Sequence, residues 1–180
     1  MRFDPTALAD VLVISPPVFE DNRGAFVINW RPELFAERGL DTRIAQVSTA
    51  VTRQRGSIRG MHYQVEPFAE AKTVRVVRGA IFDVAVDLRP GSPTFLQWVG
   101  CDLTSVNRQM MYIPAGFAHG YQTLEDDTEV SYFISAPYSP PHQRGARWND
   151  PAFGITWPLG APSQINERDA AYPDFERAGR

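Results

Sequence analysis

Three observations predict that this 180-residue sequence folds as an all-β sandwich or barrel. Apolar residues recur with period two through most of the middle of the chain. Glycine- and proline-containing turns break that pattern at short intervals. Only one segment carries a helical pattern, which leaves many short strands and little else.

Taken in order, VLVISPPVF (11–19) reads as a short strand stopped by a proline pair, since proline cannot donate to a sheet ladder. EDNRGAF (20–26) follows as a polar turn with Arg23 at its exposed end and Phe26 beyond it. RPELFAERG (31–39) is the helix candidate. Pro32 suits a first turn, Leu34, Phe35 and Leu40 supply an apolar side, and Gly39 suits the stop. Strand-like runs then follow: TRIAQVSTAV (42–51), SIRGMHYQ (57–64), TVRVVRG (73–79), AIFDVAVDL (80–88), FLQWVGCDL (95–103), QMMYIP (109–114), HGYQTL (119–124) and TEVSYFI (128–134). In AIFDVAVDL one face carries Phe82, Val84, Val86 and Leu88, and the other Ile81, Asp83, Ala85 and Asp87. One face in a core and one lining water or a cavity would produce that alternation. The segment 137–175 is proline-rich and irregular, with too many aromatic anchors for a disordered linker. It is expected either to wrap the barrel or to form part of a site. No repeat and no second domain is evident, so residues 1–180 are read as a single domain.

Composition narrows the function. A net charge of −3 gives no electrostatic reason to expect nucleic acid or an anionic membrane as a partner. No stretch approaches the ~20 apolar residues that cross a bilayer, and MRFDPTALAD lacks the apolar core of a signal peptide. With one cysteine, Cys101, an internal disulfide is excluded, and a cytoplasmic location is expected. Cys101 lies in an apolar run and reads as a structural thiol. Among 18 basic residues, Lys72 alone is a lysine. A sequence that otherwise uses arginine retains a compact ammonium there, which points to a task guanidinium performs badly.

The chemistry centres on RGMHYQ (59–64). Gly60 lets the backbone pass close to a neighbour while Arg59, His62 and Gln64 offer three kinds of polar group. Simple alternation sets Gly60 and His62 on one face, and Arg59, Met61 and Tyr63 on the other. With an ordinary pKa of about 6.5, His62 suits a general base, the plainer alternative being a core histidine satisfied by one backbone bond. The histidines number three, without a His-x-His pair, so no spacing supports a metal site. Neither a nucleophile elbow nor a phosphate-binding glycine loop is present. Tyr132 shares an apolar strand face with Val130 and Ile134, where its hydroxyl needs a partner or a cavity. A histidine base, a lysine cation and a tyrosine acid form a set able to move a proton on carbon beside a carbonyl.

Four runs, SIRGMHYQ, AKTVRVVRGAIFDVAVDLRPGSPTF, YIPAGFAHGYQTL and APYSPPHQRGARWNDPAFGITWP, resemble in order and spacing the dTDP-4-dehydrorhamnose 3,5-epimerase family. The resemblance, from Arg23 to Asp169, implies a cupin-type jelly-roll barrel, usually homodimeric, acting on a nucleotide-linked 4-keto-6-deoxy sugar without metal or organic cofactor. It implies His62 as the base, Tyr132 as the acid on the opposite face of the sugar, and Lys72 beside the 4-keto oxygen. Asp169 would orient the histidine. Arg23, Arg59 and His119 match positions that contact the diphosphate or the sugar, and Phe26 and Tyr138 match aromatics around the nucleobase. Gln46, Gln143 and Arg168 fall on the substrate side. The sequence departs from the family at Ile28, where glutamate is usual, at Ser48, where asparagine is usual, and at Gln143 and Arg168, where glutamate and lysine are usual. These departures fall on the nucleotide side and leave open which nucleotide and sugar are bound and whether C3, C5 or both are epimerised. A metal-dependent cupin oxygenase and a non-catalytic sugar-binding jelly roll are the rivals from other classes.

Overall fold

In the computed structural model, which describes residues 1–175, the chain forms thirteen strands and two short α-helices. Strands β1 (Arg2–Pro5) and β2 (Leu12–Ser15) form an antiparallel pair, and β3 (Val18–Asp21) and β4 (Gly24–Val27) a separate hairpin. Helix α1 (Pro32–Ala36) leads to β5 (Gln46–Thr52), β6 (Ile58–Gln64), β7 (Lys72–Arg78), β8 (Ala80–Asp87), β9 (Trp98–Thr104), β10 (Met110–Ile113), β11 (Phe117–Thr123) and β12 (Thr128–Ile134). A 3₁₀ turn (Pro140–His142), β13 (Gln143–Gly145) and α2 (Glu167–Ala170) complete the order. No helix among the described residues is long and apolar enough to cross a membrane.

A six-stranded sheet, in order β1-β2-β10-β7-β12-β5, faces a five-stranded sheet, in order β13-β6-β11-β8-β9. Every paired strand is antiparallel, the arrangement of a cupin-type jelly roll. Between the sheets lies a core of Val74, Val76, Met111, Ile113 and Val130 from one and Ile81, Ala85, Leu103, Phe117 and Tyr121 from the other. Each large side chain so buried contributes roughly 1.5–3 kcal/mol relative to exposure.

Each of the eight sequence-predicted strand runs overlaps one of β5 to β12; β6, β8, β10 and β12 lie wholly within theirs, while β5, β7, β9 and β11 extend one or two residues beyond. On β8 both faces are buried. Ile81 and Ala85 point between the sheets, while Phe82, Val84 and Val86 point outward under the C-terminal tail. That tail packs Ala146, Phe153 and Trp157 onto the outer face of the five-stranded sheet, and its Tyr138, Gln143, Arg168 and Asp169 line cavities, so it does both things expected as alternatives. Trp157 Nε1 donates to Trp148 O at 2.9 Å, and Leu159 N to Gln122 Oε1 at 2.9 Å. The outer face of the other sheet is covered by α1, through Phe35 packed with Ile14, Met110 and Tyr112.

Three expectations need correction. The helix spans Pro32–Ala36 and not 31–39, because beyond it Arg38 N and Gly39 N bond three residues back, to Phe35 O and Ala36 O, which tightens and ends the turn. The 20–26 segment is a β-hairpin whose turn is Asn22-Arg23. The tail, expected to be irregular, carries β13 on the edge beside β6 and the one-turn helix α2, capped by Asn166 Oδ1 accepting from Asp169 N at 2.7 Å.

Candidate active site

The site begins with an irregularity in β6. His62 pairs with His119 on β11, yet Arg59 pairs with Tyr121, so three steps along β6 match two along β11. This bulge reverses the simple alternation, and Arg59 and His62 both reach the interior chamber while Met61 is buried on the outer face. The expected placement of Arg59 on the face opposite His62 is therefore wrong, by one extra residue. Gly60 is required at the bulge. Its φ is +126°, and a Cβ there would lie 2.5 Å from Gly120 Cα and 2.9 Å from His119 O.

The chamber, about 270 Å³, lies between the sheets and is lined by Gln46, Ser48, Arg59, His62, Lys72, His119, Tyr132, Arg168 and Asp169 among others. Through Gln46, His62, Lys72 and Ile134 it adjoins a second cavity of about 140 Å³ that reaches Glu70, Tyr138 and Gln143. His62 comes from the five-stranded sheet, whereas Lys72 and Tyr132 come from the six-stranded one. Base and acid candidates thus stand on opposing walls.

Asp169, on α2, has a side chain with 0% exposure. Its Oδ1 accepts from His62 Nε2 at 2.8 Å and its Oδ2 from the Gly60 N–H at 3.1 Å. A carboxylate only accepts, so Nε2 carries the proton and Nδ1 keeps the lone pair. Burial pushes His62 below its ordinary value, against the upward pull of Asp169, and the charges of Lys72 and Arg168 add to the lowering. His62 is therefore neutral and basic at neutral pH. Burial alone would raise Asp169, but its bond to His62, the histidine's charge, the Gly60 N–H and Arg168 hold it below the usual carboxylate value.

Tyr132 is raised well above an ordinary phenol, first by burial and then by neighbouring Tyr121 and Asp83, so it keeps its proton. Its ring meets His119 edge-on, with centroids 6.1 Å apart. Lys72 Nζ forms an ion pair with Glu70 Oε1 at 3.0 Å and donates to the His62 carbonyl at 3.2 Å. Together these groups can remove a proton from a carbon acid, stabilise the resulting oxyanion and return a proton from the other wall.

The profile of the dTDP-4-dehydrorhamnose 3,5-epimerase family matches residues 5–177. This chain belongs to that family. A relative from Sinorhizobium fredii, a dTDP-4-dehydrorhamnose 3,5-epimerase, is 44% identical over 175 residues, 97% of this chain and 90% of that one. The crystal structure of dTDP-4-dehydrorhamnose 3,5-epimerase from Bacillus anthracis with TDP and PPi bound superposes with a TM-score of 0.92 at 36% identity, covering 97% of this chain and 99% of that chain. A 3′-monoepimerase from Streptomyces bikiniensis in complex with dTDP-quinovose gives 0.88 at 34% identity, covering 94% and 86%.

Of the residues this family resemblance selects, His62, Lys72, Tyr132, Asp169, Gln46, Arg59, His119 and Arg168 gather on the chamber, and Tyr138 and Gln143 on the adjoining cavity. Gln143 Oε1 accepts from Tyr138 OH at 2.6 Å and from Arg168 Nη1 at 3.2 Å. Arg23 and Phe26 are not brought there within this chain. They project from the β3–β4 hairpin, with Phe26 68% exposed and Arg23 paired to Asp21. Gln64 serves the loops, accepting from Ser139 N at 2.6 Å and donating to Phe68 O and Pro137 O. Cys101 packs against the core, and burial pushes its thiol up, as suits a structural role.

Sequence reasoning missed Asp83, Glu70, Tyr121 and Asn166. Asp83 accepts from His119 Nε2 at 2.7 Å, forming a second histidine–carboxylate pair, with 6% and 0% of the two side chains exposed. Its signal was present, because an acid alternating with Ile81 and Ala85 on a core face must have a partner.

Proposed function

We propose that this enzyme epimerises a nucleotide-linked 4-keto-6-deoxy sugar at carbon next to the ketone, C3, C5 or both. The observation that carries the reading is the His62–Asp169 pair on one wall of the chamber with Tyr132 and Lys72 on the other. His62 Nδ1 takes the proton from the carbon, and the electron pair moves onto the ketone to form an enolate. Lys72 offers an ammonium N–H to that oxygen, and Tyr132 delivers a proton to the opposite face of the same carbon. The enolate collapses to the ketone with inverted configuration, while Tyr132 and His62 return to their starting states by exchange with water. No electrons are gained or lost overall.

The substrate proposed first is dTDP-4-dehydro-6-deoxyglucose, the product dTDP-4-dehydrorhamnose. The likeness to a 3′-monoepimerase favours a second reading, epimerisation at one carbon only. Arg23 and Phe26, exposed on their hairpin, fit a homodimer in which each hairpin reaches its partner's site. Full activity from a monomer in sedimentation would defeat that part. The deciding experiment is incubation with dTDP-4-keto-6-deoxyglucose in D2O, followed by NMR at C3 and C5. Deuterium at either position, absent with a folded His62→Ala enzyme, supports the reading; exchange at the wild-type rate in that variant removes His62 as the base.

A further inference from the structure

Lys72 Nζ bears three N–H bonds and meets two oxygens. One N–H donates to the His62 carbonyl at 3.2 Å, and the ammonium forms an ion pair with Glu70 Oε1 at 3.0 Å. The pair is sheltered, with 12% of the lysine and 5% of the glutamate side chain exposed. Glu70 makes poor use of that shelter, because its Oε2 is buried without a partner. An unpaired carboxylate oxygen destabilises a fold, and two apolar side chains of the same volume would pack there at lower cost. Stability therefore does not account for the carboxylate.

Position does. Lys72 borders both cavities, whereas Glu70 lines only the smaller one. The carboxylate thus holds the ammonium from the side away from the chamber of Tyr132 and His119. The bond to the His62 carbonyl directs one N–H, and the attraction of the Glu70 carboxylate fixes where the charged nitrogen sits. The segment carrying Glu70 is itself pinned, since Ala71 N donates to Ser135 Oγ at 2.8 Å and Ser135 N to Ala71 O at 3.0 Å.

We infer that Glu70 is a positioning residue, which together with the His62 carbonyl holds the Lys72 ammonium in place so that a free N–H is ready for the keto oxygen. A donor fixed before the reaction needs no reorganisation as charge develops on that oxygen. The catalytic part of this inference rests on the epimerase reading given above; the anchoring part does not.

Because Lys72 is the only lysine of the chain, a lysine-selective label reports this one atom. Full-length protein grown with [15Nζ]-lysine should give a single Nζ resonance with slow hydrogen exchange. Glu70→Ala should raise that exchange about tenfold or more, while Glu70→Gln, which keeps an acceptor in place, stays within about threefold. On the 4-keto sugar nucleotide, Glu70→Ala should lower kcat about 10- to 100-fold with KM within about threefold, and Glu70→Gln should recover most of it. If Glu70→Ala does not fold, Glu70→Met fills the space without offering an oxygen and takes its place. Wild-type Nζ exchange in the acceptor-free variant overturns the anchoring, and a loss confined to KM overturns the positioning role. The exchange measurement uses no substrate, so it decides the anchoring whatever sugar the enzyme turns over.

Discussion

Replacing Asp169 by asparagine tests the proton-transfer reading most directly, because the buried carboxylate serves several donors at once. Oδ1 accepts from His62 Nε2 at 2.8 Å and, weakly, from Arg168 Nε at 3.4 Å, and Oδ2 accepts from the Gly60 N–H at 3.1 Å. An asparagine can satisfy His62 and Gly60 together in only one way. With its oxygen toward Gly60, its NH₂ must face His62, whose Nε2 then becomes an acceptor and whose proton moves to Nδ1. The bonds to Gly60 and His62 are kept, the long one from the half-exposed Arg168 is given up, and the base is lost. With its oxygen toward His62, its NH₂ faces the Gly60 N–H, and a buried donor goes unpaired at a cost of about 1–3 kcal/mol. The useful tautomer is thus disfavoured about 5- to 150-fold. Losing the charge that steadies the imidazolium adds roughly 1.5–3 kcal/mol. The two effects together predict a fall of about 10²–10⁴ in kcat with little change in melting temperature. The assay is the initial rate of deuterium uptake from D2O at the carbon next to the ketone. A folded Asp169→Asn enzyme within about tenfold of wild type would refute the argument, since it lies below every combination of these terms.

Lys72→Arg should lower kcat by ~10²–10³, because a planar guanidinium does not fit the place of an ammonium held by one carboxylate and one carbonyl; kcat within about threefold of wild type would show the lone lysine to be incidental. Gly60→Ala adds a Cβ 2.5 Å from Gly120 Cα at a φ of +126°, so destabilisation of about 2–5 kcal/mol is expected; a calorimetric Tm lowered by less than about 2 °C would contradict it. In the pH profile of kcat/KM, the acid limb should fall at a midpoint below 6.5, because burial lowers His62 and only its neutral form is a base. The same shift makes stability rise with pH between that midpoint and 6.5, where the unfolded chain binds a proton that the folded one refuses. An acid limb centred above 6.5 would show that another group is the base.

Legibility in the sequence followed burial. Strands β6 to β12 could be read because each sets at least one face into a core, which writes period two into the residues, whereas β5 alternates between the exposed Val47 and Val51 and the chamber-lining Gln46, Ser48 and Ala50. Strands β1 and β13 are short edge pieces, and β3 and β4 form an exposed hairpin, so none needed a patterned face. Helix α2 is four residues long and depends on one Asn166 cap, too little for any periodicity to register. Of the site, Lys72 stood out by composition and Tyr132 by its apolar company, whereas Asp169, 107 residues from His62, came only through the family resemblance. Asp83 and His119 are 36 residues apart and meet only once the β8–β11 register is known.

The bulge at Gly60 explains why the tail and the base cannot be separated. One extra residue in β6 turns Arg59 and His62 inward, and it also sends Met61 outward, into the cluster formed by Ala146, Phe153 and Trp157. There Met61 N and O exchange hydrogen bonds with Ala146, both at 3.1 Å. The same irregularity leaves the Gly60 N–H free of its ladder partner and gives it to Asp169. A tail that had only to cover apolar surface would need Phe153 and Trp157 alone. This one continues across β6, through Ser163 N to Gly56 O at 2.9 Å and Ile58 N to Gln164 O at 3.0 Å, and ends in the turn that presents Asp169. Packing on the outside of the sheet thereby fixes the carboxylate that sets the tautomer on the inside. A loosened tail should therefore cost activity before it costs the barrel.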